Sequence, residues 1–411
     1  MTISIISVGN FWDGLTDTPV GPREILIQDG VIQEIGNTIQ APVGTERINL
    51  SDKLVLPGLI DSHVHITSRL ELISDFWSCS SVTKAFFGAD ALKIHLMNGF
   101  TTVRDCGDMD VTGYTIQDVK HAVDSGLIEG ARLITSGHMI SPHGGHMDLA
   151  ALLAPSYSIT QNCLADGADE IRRTVREEIK WKADWIKFAA SGGFASPSDD
   201  PGYVAYTQEE MNALVETAAQ QHRSVAVHAM GDEAVKMAVT AGVRSIEHGS
   251  MAAAETINLI EEKGVYVIPT QYAVIREARF SEDDQYWATS GATPYARIKV
   301  RKYKDKLLET AANFAKSQVK LVFGTDLGLH DYNVTGAKEF GEMVINGITP
   351  VRALKAATSV AAEMLKRDDL GVLAPGKTAD IIAVSGNPFE DITVMEQVDF
   401  VMKAGKIYKM L

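Results

Sequence analysis

The 411-residue sequence has few cysteines and no long hydrophobic run. Cys79, Cys106 and Cys163 are odd in number, far apart and without CxxC spacing, so neither a disulfide framework nor a thiolate zinc site is indicated. No apolar stretch approaches the length of a transmembrane helix, and the N-terminus lacks the basic start and apolar stretch of a signal sequence. We therefore expect a cytoplasmic protein in a reducing compartment, with no membrane partner.

Basic residues are outnumbered by acidic ones. The sequence has 38 Lys and Arg against 53 Asp and Glu, a formal net charge of −15. This balance argues against nucleic acid or anionic membranes as partners, because both require a basic face. The length, together with 45% hydrophobic and 22% charged residues, fits one large α/β domain or a barrel with an accessory domain.

Both ends of the sequence are rich in predicted β-strands. Short alternating runs fill residues 2–56, where Asp29-Gly30 is a strong hairpin signal. The pattern returns at residues 379–408, with a second tight turn at Ala404-Gly405-Lys406. We predict that residues 1–56 and 370–411 together form a small composite β-sandwich domain beside a catalytic domain of residues 57–369.

Between these ends, strand-like runs alternate with amphipathic helical runs, as is typical of parallel βα units. The eight predicted strands end near His65, Arg104, Ser136, Ala189, Ala229, His248, Thr270 and Thr325. The predicted helices include 166–182, 207–221, 231–241, 301–317 and 350–365, and the second begins with a capping box at Thr207–Glu210. This alternation predicts an α/β fold, a (β/α)8 TIM barrel, with its active site at the C-terminal ends of the strands.

Potential metal ligands lie at several of these strand ends. His63 and His65 are two residues apart, so they point to the same face of one strand and can hold one cation together. His228, His248 and Asp326 end later strands. Imidazole nitrogens and a carboxylate are the ligands expected around zinc or a similar divalent ion, and a catalytic site leaves one position open for water. Each residue alone has an ordinary structural interpretation, but their shared position at strand ends predicts a metal site.

Lys187 ends the fourth predicted strand, where an unmodified ammonium would repel a metal. His63-Val-His65 after Leu56-Pro-Gly-Leu-Ile-Asp61, this lysine, the two later histidines and Gly324-Thr-Asp326 together resemble the amidohydrolase superfamily. The resemblance covers nearly the whole chain. It implies two divalent metal ions, with zinc favoured, and a carbamylated Lys187 that bridges them. It also implies that His63 and His65 hold one ion and that His228 and His248 hold the other.

Further segments resemble a prolidase-like branch of that superfamily, which includes Xaa-Pro dipeptidases, related carboxypeptidases and ochratoxin-type amidases. They are Arg132–Gly137, Gly144-Gly145-His146, Lys187–Gly193 and Ser196-Pro197. The resemblance implies hydrolysis of the amide bond of a dipeptide or N-acyl amino acid by a metal-activated hydroxide. Asp326 would act as general base and then pass its proton to the leaving amine, while His146 would hold the substrate carbonyl and stabilise the oxyanion.

Residues in the loops after the strands are the candidates for substrate binding. A substrate carboxylate needs a cation or a hydroxyl, which arginine supplies in bidentate form. Met230, where relatives that cleave Xaa-Pro or basic dipeptides tend to carry Tyr or His, argues against proline specificity and favours a bulky apolar group. Each candidate is equally well an ordinary loop residue; they are His143, Tyr203, Tyr206, Met230, Tyr272, Arg276 and Arg279, with His330 at the mouth.

Two other function classes remain open. A deaminase or cyclic amidase of the same superfamily would act on a heterocyclic C–N bond with similar ligands, although a mononuclear deaminase does not need Lys187. Glu247, directly before His248, either supports a ligand or faces away by strand alternation. A barrel that only binds or scaffolds would be expected to have lost its ligands, and none is missing. We expect a small-molecule substrate and a homo-oligomer.

Overall fold

The computed structural model describes residues 2–69, 77–157, 159–290, 292–328 and 336–411. The strands are β1 (Ile3–Phe11), β2 (Arg23–Gln28), β3 (Val31–Gly36), β4 (Glu46–Pro57), β5 (Leu59–Val64), β6 (Phe100–Asp105), β7 (Arg132–Thr135), β8 (Met139–Ile140), β9 (Trp185–Ala189), β10 (Ser224–Gly231), β11 (Ser245–Met251), β12 (Tyr266–Ile268), β13 (Ile381–Val384), β14 (Val398–Lys403) and β15 (Lys406–Met410).

The α-helices are α1 (Ser81–Met97), α2 (Thr115–Asp124), α3 (Gly167–Lys180), α4 (Gln208–Gln220), α5 (Asp232–Ala241), α6 (Ala254–Lys263), α7 (Ile275–Arg279), α8 (Asp284–Thr289), α9 (Pro294–Lys316), α10 (Lys338–Ile345), α11 (Pro350–Ala356) and α12 (Ser359–Leu365). Within the described ranges, none of these helices has both the length and the apolar character that a bilayer crossing requires.

The central strands form two parallel sets whose connections are consistent with the predicted barrel. Strands β5, β6 and β7 are hydrogen-bonded in that order, and β8 to β12 form a second parallel set. The Asp184 amide joins the two sets by donating to the Thr135 carbonyl at 2.9 Å. The eighth position is taken by residues 321–327, which are bridged to β12 through Leu321 and to β5 through Leu327. This last segment is paired regularly only at its ends.

Asp61 fastens the first barrel strand to the eighth. Its carboxylate accepts hydrogen bonds from the Thr325 hydroxyl at 2.6 Å and from the Thr325 amide at 3.1 Å. Gly324 permits this close approach, because a Cβ there would lie 2.3 Å from Cγ2 of Ile268 and 2.8 Å from Cβ of His63. Sequence positions more than 260 residues apart are thereby brought together, and Asp326 is held beside β5.

Both chain ends contribute to one composite β-domain. Its seven strands have the order β15-β14-β13-β4-β1-β2-β3, so β4 from the N-terminal segment pairs with β13 from the C-terminal one. The two predicted tight turns are present, and each has two successive residues with positive φ, as in a type I′ turn. They meet face to face, because a Cβ on Gly405 would lie 2.7 Å from Cα of Gly30.

The sheet therefore curls over one shared core, in which Ile25 and Ile27 of one half and Phe400 and Met402 of the other are buried in the same cluster. The composite domain predicted from the two β-rich ends is present as a single mixed seven-stranded sheet around this core. We propose that the chain divides into two domains, residues 1–56 plus 370–411 and residues 57–369.

The helix predictions are correct in position but not in every boundary. The capping box at the start of α4 is present, with Thr207 and Glu210 bonded reciprocally. The helix predicted at 301–317 begins earlier, at Pro294, because the Thr293 side chain caps the backbone there. The single helix predicted at 350–365 is wrong, since Thr358, with φ −134° and ψ −99°, separates α11 from α12.

Candidate metal centre

Several residues at the C-terminal ends of the barrel strands have unusual backbone conformations. His248, Thr270 and Asp326 have φ angles of 73°, 42° and 59°, in the left-handed region that side chains other than glycine rarely occupy. Such strain occurs mainly at functional sites. At His248 it also breaks the alternation of β11, so that both Glu247 and His248 contact His63.

The four predicted histidine ligands lie close to one another. The ring centroids of His63 and His65 are 5.3 Å apart, those of His63 and His248 are 5.1 Å apart, and those of His228 and His248 are 4.7 Å apart. Oδ1 of Asp326 lies 3.4 Å from Nε2 of His63 and 3.3 Å from Nε2 of His65. A zinc ion bound tetrahedrally at about 2.1 Å to each of three such atoms would separate them by roughly 3.4 Å. These three residues therefore fit one divalent cation.

Each of the four histidines has one ring nitrogen held by an oxygen of the protein. Nδ1 of His63 is 2.9 Å from Glu247, Nδ1 of His65 is 3.1 Å from the Gly107 carbonyl, and Nδ1 of His248 is 2.7 Å from the Thr270 hydroxyl. His228 is held through Nε2, 3.1 Å from the Gly192 carbonyl. Metal-binding histidines are typically oriented in this way, with the opposite nitrogen used for the metal.

The electrostatic environment favours neutral imidazoles at three of these positions. Burial holds the pKa of His228 and His248 well below the usual histidine value, and it also lowers the pKa of His63. Burial alone would lower the pKa of His65, but the Asp326 carboxylate, the Asp105 charge and the Gly107 carbonyl together raise it above the usual value. Neutral imidazole is the form that binds metals.

Lys187 is fully buried in β9, and its Nζ has no hydrogen-bond partner among the described residues. Its positive charge contributes, after burial, to the lowered pKa of His63, His228 and His248, which means that it lies near all three. Burying an uncompensated ammonium among potential metal ligands is unfavourable. Oδ1 of Asp326 is a second buried atom without a hydrogen-bond partner. The unpartnered Oδ1 of Asp326 fits a site that binds cations, and the unpartnered Nζ of Lys187 fits a lysine that carries a carboxylate.

A buried ion pair supports His63 from inside the barrel. The Glu247 carboxylate contacts His63 through one oxygen and accepts a hydrogen bond from Arg104 at 2.7 Å through the other. Burial alone would raise the pKa of Glu247, but the Arg104 guanidinium, the contact with His63 and the Lys187 charge together outweigh burial and hold the pKa well below its usual range. Arg104 also stacks over Trp185, with 4.7 Å from its Cζ to the ring centroid. Two roles were open for Glu247 from the sequence: to orient a ligand or to face away from the site. The structure supports the first, because its carboxylate contacts the ring of His63.

His146 lies over His228, with its ring centroid 4.2 Å away and the planes nearly parallel. Its Nδ1 is 3.3 Å from a carboxylate oxygen of Asp199, and Lys299 donates to the other oxygen at 3.1 Å. Gly193 lets the loop pack on this ring, because a Cβ there would lie 2.2 Å from Cε1 of His146. The ring is thus fixed through Nδ1.

An open cavity lies above the histidines and Asp326 and is lined mainly by apolar side chains. Met230 is part of this wall, together with Met109, Met139, Met147 and Phe194. The other three methionines could not be predicted from the sequence, because isolated methionines after strands carry no signal of a shared wall. Glu277, a cavity-lining residue of the short helix α7, could not be predicted either.

The other predicted substrate-binding residues do not line this cavity. His143 is mostly exposed and pairs with Asp166, and Tyr203 is 67% exposed. Tyr206 is in the main core, where its hydroxyl donates to the Ala165 carbonyl at 2.8 Å. The structure gives these three assignments no support.

Arg276 does not line the cavity either, because its guanidinium stacks on aromatic rings, including that of Tyr272 at 4.6 Å from Cζ to the centroid. Arg279 pairs with Glu342. Neither arginine, nor Tyr272, lines the described cavity, and their contact with a substrate carboxylate stays a prediction. His330 lies outside the described residues.

Comparison with known proteins agrees with this geometry. The amidohydrolase family profile matches residues 54–408. Ochratoxinase of Aspergillus niger is 31% identical over 95% of this chain and 84% of its own length. A crystal structure of a Xaa-Pro dipeptidase with methionine bound in its active site superimposes with a TM-score of 0.91 at 33% identity, covering 99% of this chain and 100% of that one.

A prolidase crystallised with N-methylphosphonate-L-proline gives a TM-score of 0.88 at 30% identity over the full length of both chains. Similarity of this extent covers the barrel and the composite β-domain alike. The chain belongs to the amidohydrolase family, in the prolidase-like branch that includes ochratoxinase, and is a hydrolase acting on amide C–N bonds.

Proposed function

We propose that this protein hydrolyses the amide bond of a dipeptide or an N-acyl amino acid with two divalent metal ions. The observation that carries the proposal is the convergence of four histidines, Asp326 and the orphaned Lys187 beneath an apolar cavity. Relatives named ochratoxinase, Xaa-Pro dipeptidase and prolidase support the same reaction type.

His63 and His65 would hold one ion and His228 and His248 the other, with zinc as the favoured metal. Lys187, carbamylated on Nζ, would bridge the two, which replaces a buried positive charge with a carboxylate ligand. When bound, such ions lower the pKa of a water molecule and supply a hydroxide nucleophile near neutral pH.

Asp326 is the proposed general base. Its Oδ1 is buried beside Nε2 of His63 and of His65, and it has no competing hydrogen bond in the described part of the chain. It would take the proton of the attacking water and deliver it to the leaving nitrogen. His146, fixed through Nδ1 by Asp199, would orient the substrate carbonyl and stabilise its negative charge as attack proceeds.

The apolar wall favours substrates with a bulky hydrophobic group near the scissile bond. Met230, Met139 and Met147 are flexible and polarizable, so they can adapt to an aliphatic or aromatic side chain. A small, rigid proline ring would leave part of this wall unfilled. We therefore propose apolar leaving amino acids, such as phenylalanine or leucine, ahead of proline. Assembly as a homo-oligomer and a cytoplasmic location remain predictions.

Metal analysis of the purified protein, combined with hydrolysis of Xaa-Phe, Xaa-Pro and N-acyl amino acids, tests the proposal. We expect about two divalent ions per chain, as in binuclear hydrolases, and the highest kcat/KM for Xaa-Phe or N-acyl-Phe. One ion per chain with hydrolysis only of cyclic amides, or deamination of heterocycles, would favour the other superfamily chemistry. A metal-free protein that cleaves the panel would overturn the mechanism.

A further inference from the structure

Glu277 stands out among the residues that line the cavity. The described lining includes three acidic side chains, Asp148, Glu277 and Asp326, and no lysine or arginine. Asp326 belongs to the proposed metal centre. Asp148 is engaged by the Gly144 amide at 2.8 Å and by the side chain of Gln161 at 3.1 Å. Within the described residues, Glu277 makes neither a hydrogen bond nor an ion pair.

The surroundings of Glu277 are unfavourable for a free carboxylate. Only 9% of the residue is exposed, and it is flanked on the cavity side by Ala273 and Val274. Burial raises the pKa of Glu277 to about 7, which Arg276 offsets only in part. That guanidinium is held in a cluster of rings, 5.2 Å from the centroid of Tyr286, and forms no ion pair with Glu277.

An unpaired carboxylate in an apolar wall destabilises the folded chain unless a ligand compensates it. The compensating group must reach the cavity, donate hydrogen bonds and favour the ionised carboxylate, which describes an ammonium group. A substrate carboxylate would instead be repelled at this position. The cavity lining beyond Glu277 is mainly apolar, so the carbon skeleton that carries the ammonium can be hydrophobic.

We propose that Glu277 forms a subsite for an ammonium group of the substrate, either the free α-amino group of a dipeptide or a basic side chain. This inference rests on the proposed amide hydrolysis and narrows its substrate class, because an uncharged N-acyl amino acid cannot use the subsite. Glu277 is then a specificity determinant and takes no part in bond cleavage.

Matched substrate pairs test the subsite. Leu-Phe is compared with 4-methylpentanoyl-Phe, which lacks only the α-amino group, and N-acetyl-Lys-Phe is compared with N-acetyl-norleucyl-Phe. We expect Glu277→Gln to lower the preference for the ammonium member of one pair by about tenfold or more, since a charge-assisted hydrogen bond is lost. The neutral members should keep their kcat/KM. Which pair responds distinguishes the two sources of the ammonium.

Glu282→Gln is the matched control, because Glu282 is solvent-exposed and pairs with Arg301 away from the cavity. It should leave both preferences unchanged. A wild-type enzyme that prefers the neutral members, or a Glu277→Gln variant with unaltered preference, would overturn the subsite.

A binding measurement separates this inference from the proposed function. Calorimetric titration of the metal-loaded protein with phenethylamine and with 2-phenylethanol requires no turnover. Phenethylamine should bind about tenfold more weakly to Glu277→Gln than to wild type, while 2-phenylethanol should bind equally to both. Equal phenethylamine binding by the two proteins would refute the subsite even if amides are hydrolysed. Selective binding without hydrolysis of any amide would retain it and reject the proposed function.

Discussion

Nδ1 of His63 lies 2.9 Å from Oε2 of Glu247, inside the barrel and out of contact with solvent. The same carboxylate is bonded to Arg104, so the interior of the barrel orients a candidate metal ligand through a charged pair. The carboxylate keeps the proton of His63 on Nδ1 and leaves Nε2 toward Asp326.

Replacing Glu247 should therefore affect metal binding as well as stability. We expect Glu247→Gln to weaken metal affinity by about 10- to 100-fold, because loss of a carboxylate partner disorients the imidazole. It should also lower the free energy of unfolding by on the order of 3 kcal/mol, since Arg104 stays buried without its counter-charge. Competition with a chelator measures the affinity, and urea unfolding measures the stability.

Glu178→Gln provides the control for this prediction. Glu178 is equally buried and contacts His138 at 2.9 Å, but neither residue lines the cavity. The control should lose stability and keep its metal affinity. Equal metal affinity in Glu247→Gln and wild type would mean that Glu247 is only a structural partner of Arg104.

The positions of the ligand candidates on the strands could be predicted because barrel topology collects strand ends at one face. Side chains two residues apart on a strand point to the same face, so His63 and His65 could be placed together without any knowledge of tertiary contacts. The same rule could not place Glu247 and His248, which are adjacent yet both contact His63. The positive φ of His248 breaks the alternation of the strand, and residue spacing does not reveal that backbone conformation.

Substrate contacts were much harder to predict. The charge of Arg276 predicts a contact with a substrate carboxylate, but the loop after β12 folds as a short helix. This helix turns the guanidinium onto aromatic rings and leaves Glu277 facing the cavity. The sequence places Tyr206 in a loop, yet its ring packs in the core next to Phe188. Side-chain direction in irregular loops depends on tertiary packing, which residue type and spacing do not reveal.

Removing the charge of Asp326 tests the general base. We expect Asp326→Asn to lower kcat by about 10²- to 10⁴-fold, because an amide cannot accept the proton of the attacking water. Metal content should stay close to that of wild type, since the four histidines and Lys187 remain. Single-turnover kinetics with metal analysis of the same sample checks both points. Asp148→Asn, which changes a carboxylate elsewhere in the cavity wall, should keep its kcat. Wild-type turnover by Asp326→Asn would remove the proposed base.

Lys187→Met tests the carbamate bridge. The substitution keeps the length and removes the amine that carbon dioxide would modify, so metal content should fall from about two ions per chain to about one. The metal-free variant should be more stable to heat than metal-free wild type, since a buried, unpartnered ammonium has been removed. Metal analysis and thermal unfolding of both forms provide the readouts. Wild-type protein reconstituted without bicarbonate should also take up less metal, and a Lys187→Met variant that binds both ions would exclude the bridge.

The ion pair of His138 and Glu178 predicts how stability depends on pH. Burial alone would lower the pKa of His138, but the Glu178 carboxylate outweighs it and raises the pKa to about 9. Because the folded-state pKa exceeds the unfolded value, the stabilisation is fully present below about pH 6.5 and is lost as the pH rises through 9. Over that range the free energy of unfolding should fall by on the order of 3 kcal/mol more in wild type than in His138→Gln. Urea unfolding of the metal-loaded proteins at a series of pH values measures the free energy of unfolding of each. Subtracting the two curves removes the titration of the groups that wild type and variant share. Parallel curves for wild type and variant would show that His138 is already neutral in the folded protein.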